Sequence, residues 1–90
     1  MDKVSAKHIL VPDATQAENF SLQLLTQEDF TKAAQMHSRC PSSHQGGDLG
    51  EFSRGQMVPE FEQAAFALEV GEISKPVQTQ FGYHVIMRTG

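Results

Sequence analysis

Cysteine occurs only once in this chain of 90 residues, at Cys40, so no disulfide can close within it. That usage suits a reducing compartment. No stretch approaches the roughly 18 consecutive apolar residues of a membrane span, and none is expected. Basic residues are scarce too: 7 Lys and Arg against 11 Asp and Glu give a formal charge of -4 and a pI near 5.4. Such a chain lacks the basic footprint that phosphate backbones or anionic lipids require, which argues against nucleic acid or a membrane surface as partner. The stretch Met1 to His8 has no basic start, apolar middle or small-residue cleavage site of a secretory signal. Together with the lone cysteine, it points to a cytoplasmic protein. Repeats and low-complexity segments are also missing.

What is present suits one globular domain over residues 1–90, long enough for a single core and too short for a second module. Val4 to Val11 is aliphatic and β-branched and stops at Pro12, so it reads as a strand with Ala6, His8 and Leu10 on one face. Asp13 can cap a helix carrying the stripe Ala17, Phe20, Leu24 and Leu25. Thr26 to Asp29 reads as a capping box opening a second helix, with Phe30, Ala33, Ala34 and His37 on one side and an end near Ser38. Arg39 to Gly47 is a Pro-, Ser- and Gly-rich loop with room for one short helical turn.

Leu49 to Ser53 reads as a second strand. A helix starting near Pro59 buries Phe61, Ala65 and Leu68 and stops at Gly71. An extended Val77 to Thr79, a turn at Gln80 to Gly82 and a strand Tyr83 to Arg88 complete the chain. The order β-α-α-α-β-α-β-β lacks regular βαβ alternation, so the class is α+β, a four-stranded antiparallel sheet flanked by helices.

The residues that carry chemistry gather in Gly46 to Phe52, in Met57, Pro59 and Phe61, and in Phe81-Gly82-Tyr83-His84. They supply apolar side chains, glycines and a histidine without a hydrolytic or metal centre. A Met and aromatic stripe at helical spacing is ordinarily core, so only the joint pattern suggests a greasy pocket for one peptide. His8 and His84 admit three readings: general acid and base, metal ligands, or a pair whose ring nitrogens bond each other and Thr79. Cys40 can serve as nucleophile, as an electrostatic or hydrogen-bonding group, or as a packed thiol, and no oxyanion-hole motif accompanies it. His37-x-x-Cys40-x-x-x-His44 has a spacing metals tolerate, but a structural zinc usually takes at least two cysteines, so no metal is assigned. Gly46-Gly47-Asp48-Leu49-Gly50 lacks the Lys-Ser/Thr ending of a phosphate loop and precedes a strand. Its glycines suit tight turns.

Five motifs stand in one order along the chain: His8 to Val11; Asp29-Phe30 to Ser38; Cys40 leading into Gly46 to Gly50; Gly71-Glu72-Ile73-Ser74-Lys75-Pro76-Val77; and Gly82 to Ile86. In this sequence and order, from Val4 to Thr89, they resemble the parvulin peptidyl-prolyl cis-trans isomerases, and most of all the stand-alone single-domain bacterial parvulins. The second motif departs from the family pattern by one extra residue. The resemblance implies a parvulin fold, non-covalent isomerisation of X-Pro bonds without a cofactor, a monomer, and proline-containing peptides and folding polypeptides as partners.

By the same resemblance, Leu49, Met57 and Phe61 form the proline pocket with Phe81 at its rim, and His8, Cys40, Thr79 and His84 form the catalytic set. Parvulins that read phosphoserine or phosphothreonine carry a basic cluster after the first strand. Pro12 to Asn19 has two acids and no base, which implies a preference for apolar residues before proline. The competing reading is a chaperone-like module that binds peptides with little isomerase activity.

Overall fold

The computed structural model describes residues 3–23, 26–38 and 46–90, with Gln27 described by its backbone alone. It comprises β1 (Lys3–Val11), α1 (Ala14–Gln23), α2 (Gln27–His37), β2 (Asp48–Ser53), α3 (Pro59–Ala67), β3 (Val77–Thr79) and β4 (Gly82–Arg88). The strands form one open sheet in the order β2-β1-β4-β3, every neighbouring pair antiparallel. This is the expected α+β architecture.

The two central strands have side chains covered on both sides. On one face Ile9 and Val11 of β1 and Val85 and Met87 of β4 pack with Ala17 of α1 and Phe30, Ala33 and Ala34 of α2. On the other, Val4 and Ala6 of β1 and Ile86 of β4 pack with Phe52 of β2 and with Phe61 and Ala65 of α3. The period-two alternation of strand side chains therefore sends alternate residues of β1 and β4 into two different cores. His8 and His84 fall on the α3 face by that count, next to Ala6 and Ile86.

Helix starts follow local chemistry. At α1 the Thr15 N–H donates to Asp13 Oδ1 at 3.0 Å and the Ala17 N–H to the Asp13 carbonyl at 3.1 Å. At α2 the Asp29 N–H donates to Thr26 Oγ1 at 3.1 Å, the N-cap half of the expected capping box. Pro59 occupies the first turn of α3, where its missing N–H costs nothing.

Two details differ from the sequence reading. Helix α3 ends at Ala67, short of Gly71, because Leu68 turns to extended backbone while its N–H returns to Ala65 O. β4 then captures the segment: Arg88 Nη1 donates to Leu68 O at 2.7 Å and the Gly71 N–H to Arg88 O at 2.7 Å. His37 does not share the burial of Phe30, Ala33 and Ala34; it is exposed at the last turn of α2, its ring 5.3 Å from that of Phe20. Leu24, Leu25, Cys40, His44 and most of the loop given a short helical turn lie outside the described residues.

Candidate active site

The α3 face of the sheet holds two buried histidines under an aromatic ring. Register pairs His8 with Ile86 and Leu10 with His84, so the two imidazoles sit diagonally on adjacent strands. Their Nδ1 atoms are 3.0 Å apart, with ring planes only 14° from parallel. One of the two Nδ1 atoms must carry a proton and the other accept it.

The contact continues outward: His84 Nε2 lies 2.8 Å from Thr79 Oγ1, which also accepts the Phe81 N–H at 3.2 Å. A chain of polar atoms thus runs from β1 through β4 to the β3–β4 turn. Phe61 stands edge-on to both imidazoles, its ring centre 5.5 Å from His8 and 5.3 Å from His84, at 83° and 84°.

Burial sets the charge of the pair. Both histidines are about 5% exposed or less, and removal from water disfavours the imidazolium. The His8 pKa is lowered to about 4, by burial first and by the neighbouring His84 second. That of His84 is lowered by burial. At neutral pH the pair is therefore uncharged, each ring offering one donor and one acceptor nitrogen. Both proton orders along the chain satisfy the Nδ1–Nδ1 contact.

Leu49 and Met57 are half-buried against the same apolar cluster that contains Phe61. Phe81 is 62% exposed, and its backbone N–H donates to the Thr79 hydroxyl. The structure thus brings His8, Thr79, His84, Leu49, Met57 and Phe61 to one side of the sheet, with the exposed Phe81 linked to them through its backbone bond to Thr79. Cys40, the remaining member of the set, lies outside the described residues. So does most of the His37, Cys40 and His44 triplet.

Gly47 holds the site from beneath. The His8 N–H donates to Gly47 O at 2.9 Å, and a β-carbon on Gly47 would overlap the His8 carbonyl oxygen. Its φ of +81° is open to glycine at little cost. From the sequence alone this glycine was expected to serve a turn; that it also bonds the strand bearing His8 depends on a long-range approach that no local pattern announces. A cleft of about 480 Å³ beside Thr79, lined by Val58, Pro59, Glu60, Gln78 and Gln80, likewise has no sequence signal, because it exists only where β3 comes alongside α3.

A family model described as "Rotamase: PPIC-type PPIASE domain" matches residues 8–90. The chain belongs to the PPIC-type peptidyl-prolyl isomerases, the parvulins. The foldase protein PrsA of Caldanaerobacter subterraneus is 54% identical over 86 residues, covering 94% of this chain and 28% of that protein. The crystal structure of the peptidylprolyl isomerase PrsA from Bacillus anthracis superposes with a TM-score of 0.92 at 45% identity, over 98% of this chain and 41% of that one. Pin from the archaeon Cenarcheaum symbiosum gives 0.89 at 47% identity, over 99% of this chain and 93% of that one. This parvulin therefore spans less than a third of the curated PrsA foldase it matches, and nearly the whole of the archaeal protein. It is a peptidyl-prolyl cis-trans isomerase domain.

Proposed function

We propose that the domain isomerises X-Pro bonds by non-covalent strain, accepts apolar residues before the proline, and does not depend on phosphate there. The observation that carries this reading is the uncharged His8–His84–Thr79 chain lying against Phe61 in an apolar face. Rotation about the C–N bond faces about 18 to 20 kcal/mol because it breaks amide resonance. A thousandfold acceleration takes about 4 kcal/mol of preferential binding to the twisted form.

The planar amide is more dipolar than the twisted one, so a dry cup of Leu49, Met57, Phe61 and Phe81 disfavours the ground state. A donor meeting the prolyl nitrogen as it becomes pyramidal adds to this. The neutral imidazoles suit that setting, since a charged pair would draw water into the cup. Cys40 belongs to the same reading as a polar contributor to the site, with no covalent adduct required.

Asp13 and Glu18 are the charged residues of the segment from Pro12 to Asn19, so a phosphate before the proline finds no cationic partner there. The reading extends to a cytoplasmic monomer acting on proline-containing peptides and folding polypeptides, consistent with the single cysteine. A peptide-holding role with slow isomerisation is the second reading, favoured by the name foldase borne by the PrsA relatives.

Exchange NMR on tetrapeptides with Leu, Glu or phosphoserine before proline separates these. Catalysed cis/trans exchange, fastest with Leu, is expected. Exchange no faster than in buffer removes the enzyme reading; faster turnover of Glu or phosphoserine removes the substrate preference. Cys40→Ser should retain part of the activity, whereas a covalent route requires its loss.

A further inference from the structure

We propose that the cleft between the first turn of α3 and the β3–β4 turn is a substrate subsite that takes a basic side chain of the bound peptide close to its proline. The inference rests on the isomerase reading and adds a specificity determinant, Glu60. The cleft measures about 480 Å³, ample for a Lys or Arg side chain, and is lined by Val58, Pro59, Glu60, Gln78, Thr79 and Gln80.

Thr79 joins it to the proposed reaction site, because the same hydroxyl meets His84 Nε2 at 2.8 Å. Phe61, in contact with both histidines, follows Glu60 directly in the chain, on the same first turn of α3. A peptide with its proline over Phe61 therefore has a neighbouring residue within reach of this cleft.

The chemistry of the lining selects the occupant. Glu60 is an exposed carboxylate with no ion-pair partner among the described residues, unlike Glu62 one position beyond its neighbour, which pairs with Arg54 at 3.9 Å. Gln78 and Gln80 add carboxamide oxygens that accept hydrogen bonds from an ammonium or guanidinium group. No Lys, Arg or His is among the residues that line the cleft, so an acidic side chain there would meet the like charge of Glu60 with only neutral donors to offset it. The -4 formal charge of the chain favours the same sign of ligand at longer range.

The test uses tetra- to heptapeptides with Lys, Gln or Glu placed in turn at each position flanking a Leu-Pro bond, with kcat/KM read by exchange NMR. At one or more positions the Lys peptide should exceed the Glu peptide by roughly two- to fivefold, the size expected for an exposed ion pair. Glu60→Gln should bring that ratio to near one, and 0.5 M salt should shrink it. Glu28→Gln on α2, which removes the same net charge on the opposite face of the sheet, should leave it unchanged.

Equal rates for Lys and Glu peptides at every position overturn the subsite while leaving isomerisation of the Gln series intact. An equal drop in Glu60→Gln and Glu28→Gln overturns it in favour of bulk charge. Failure of the Gln series itself would strike the isomerase reading instead.

Discussion

Phe61 is the residue on which fold and site converge. It is 3% exposed within the α3-side core and stands edge-on to both imidazoles. Phe61→Ala removes a whole ring from that core, at a cost of about 3 to 5 kcal/mol, a large share of the roughly 5 to 15 kcal/mol available to a small domain. Loss of activity in that variant would mix unfolding with chemistry. Phe61→Leu separates them: the folded state persists, shown by a cooperative urea transition, while kcat/KM by exchange NMR falls at least tenfold. Wild-type turnover in the leucine variant would show that ring geometry is irrelevant to rotation.

Thr79 makes a subtler case, because its hydroxyl serves His84 and the Phe81 N–H at once. Thr79→Val keeps the shape and removes both contacts; the bond to His84, at about 1 kcal/mol, corresponds to roughly a fivefold drop in kcat/KM, and the freed Phe81 N–H adds to it. Thr79→Ser should recover most of it. Equal impairment in the serine and valine variants would mean that the methyl group, and not the hydroxyl, is what the site needs.

Among the elements, β1 and its tether matter most. Gly47→Ala forces a β-carbon onto the His8 carbonyl and strains a φ of +81°, so stability and kcat/KM should both fall. Thr26→Ala removes the cap of α2, far along the chain from the histidines, and should cost about 1 kcal/mol in urea unfolding with kcat/KM unchanged. The contrast between the two variants measures how much of the site depends on that one tether.

Strands and helix faces were legible because period two and period 3.6 are local: Ala6 and His8, Phe30, Ala33 and Ala34, and Phe61 and Ala65 all emerge from spacing. The end of α3 was not, because Arg88 and Gly71 draw Leu68 away from the helix across a large sequence separation. The His8–His84 contact was legible only as one of three readings, since strand order and register decide which strand faces meet. The cleft beside Thr79 was not legible at all, for the same reason.

At the scale of the whole molecule, the sheet keeps its two histidines dry, and that makes stability depend on pH. An unfolded chain exposes them with pKa values near 6.5, whereas the folded chain holds His8 at about 4 and His84 below its ordinary value. Between those limits the unfolded state binds more protons, so stability rises with pH there. The contribution is fully present above pH 6.5 and is lost as pH falls from 6.5 towards 4, with a slope of at most about 1.4 kcal/mol per pH unit for each histidine.

Carboxylates complicate the lower end of that window, since they titrate near pH 4. The segment from pH 6.5 to 5 belongs to imidazoles, and of the four histidines in the chain His8 and His84 are the ones described as buried. Urea midpoints should be level from pH 8 to 6.5 and decline from 6.5 to 5. Over the same range kcat/KM of the folded enzyme should outlast the midpoint, staying level through pH 6.5 and falling only where the lowered pKa values of the buried imidazoles are reached, because a protonated pair breaks the neutral chain that reaches Thr79. A midpoint that holds constant from pH 6.5 to 5 would mean that the imidazoles titrate alike in both states, against the lowering that burial imposes on both of them.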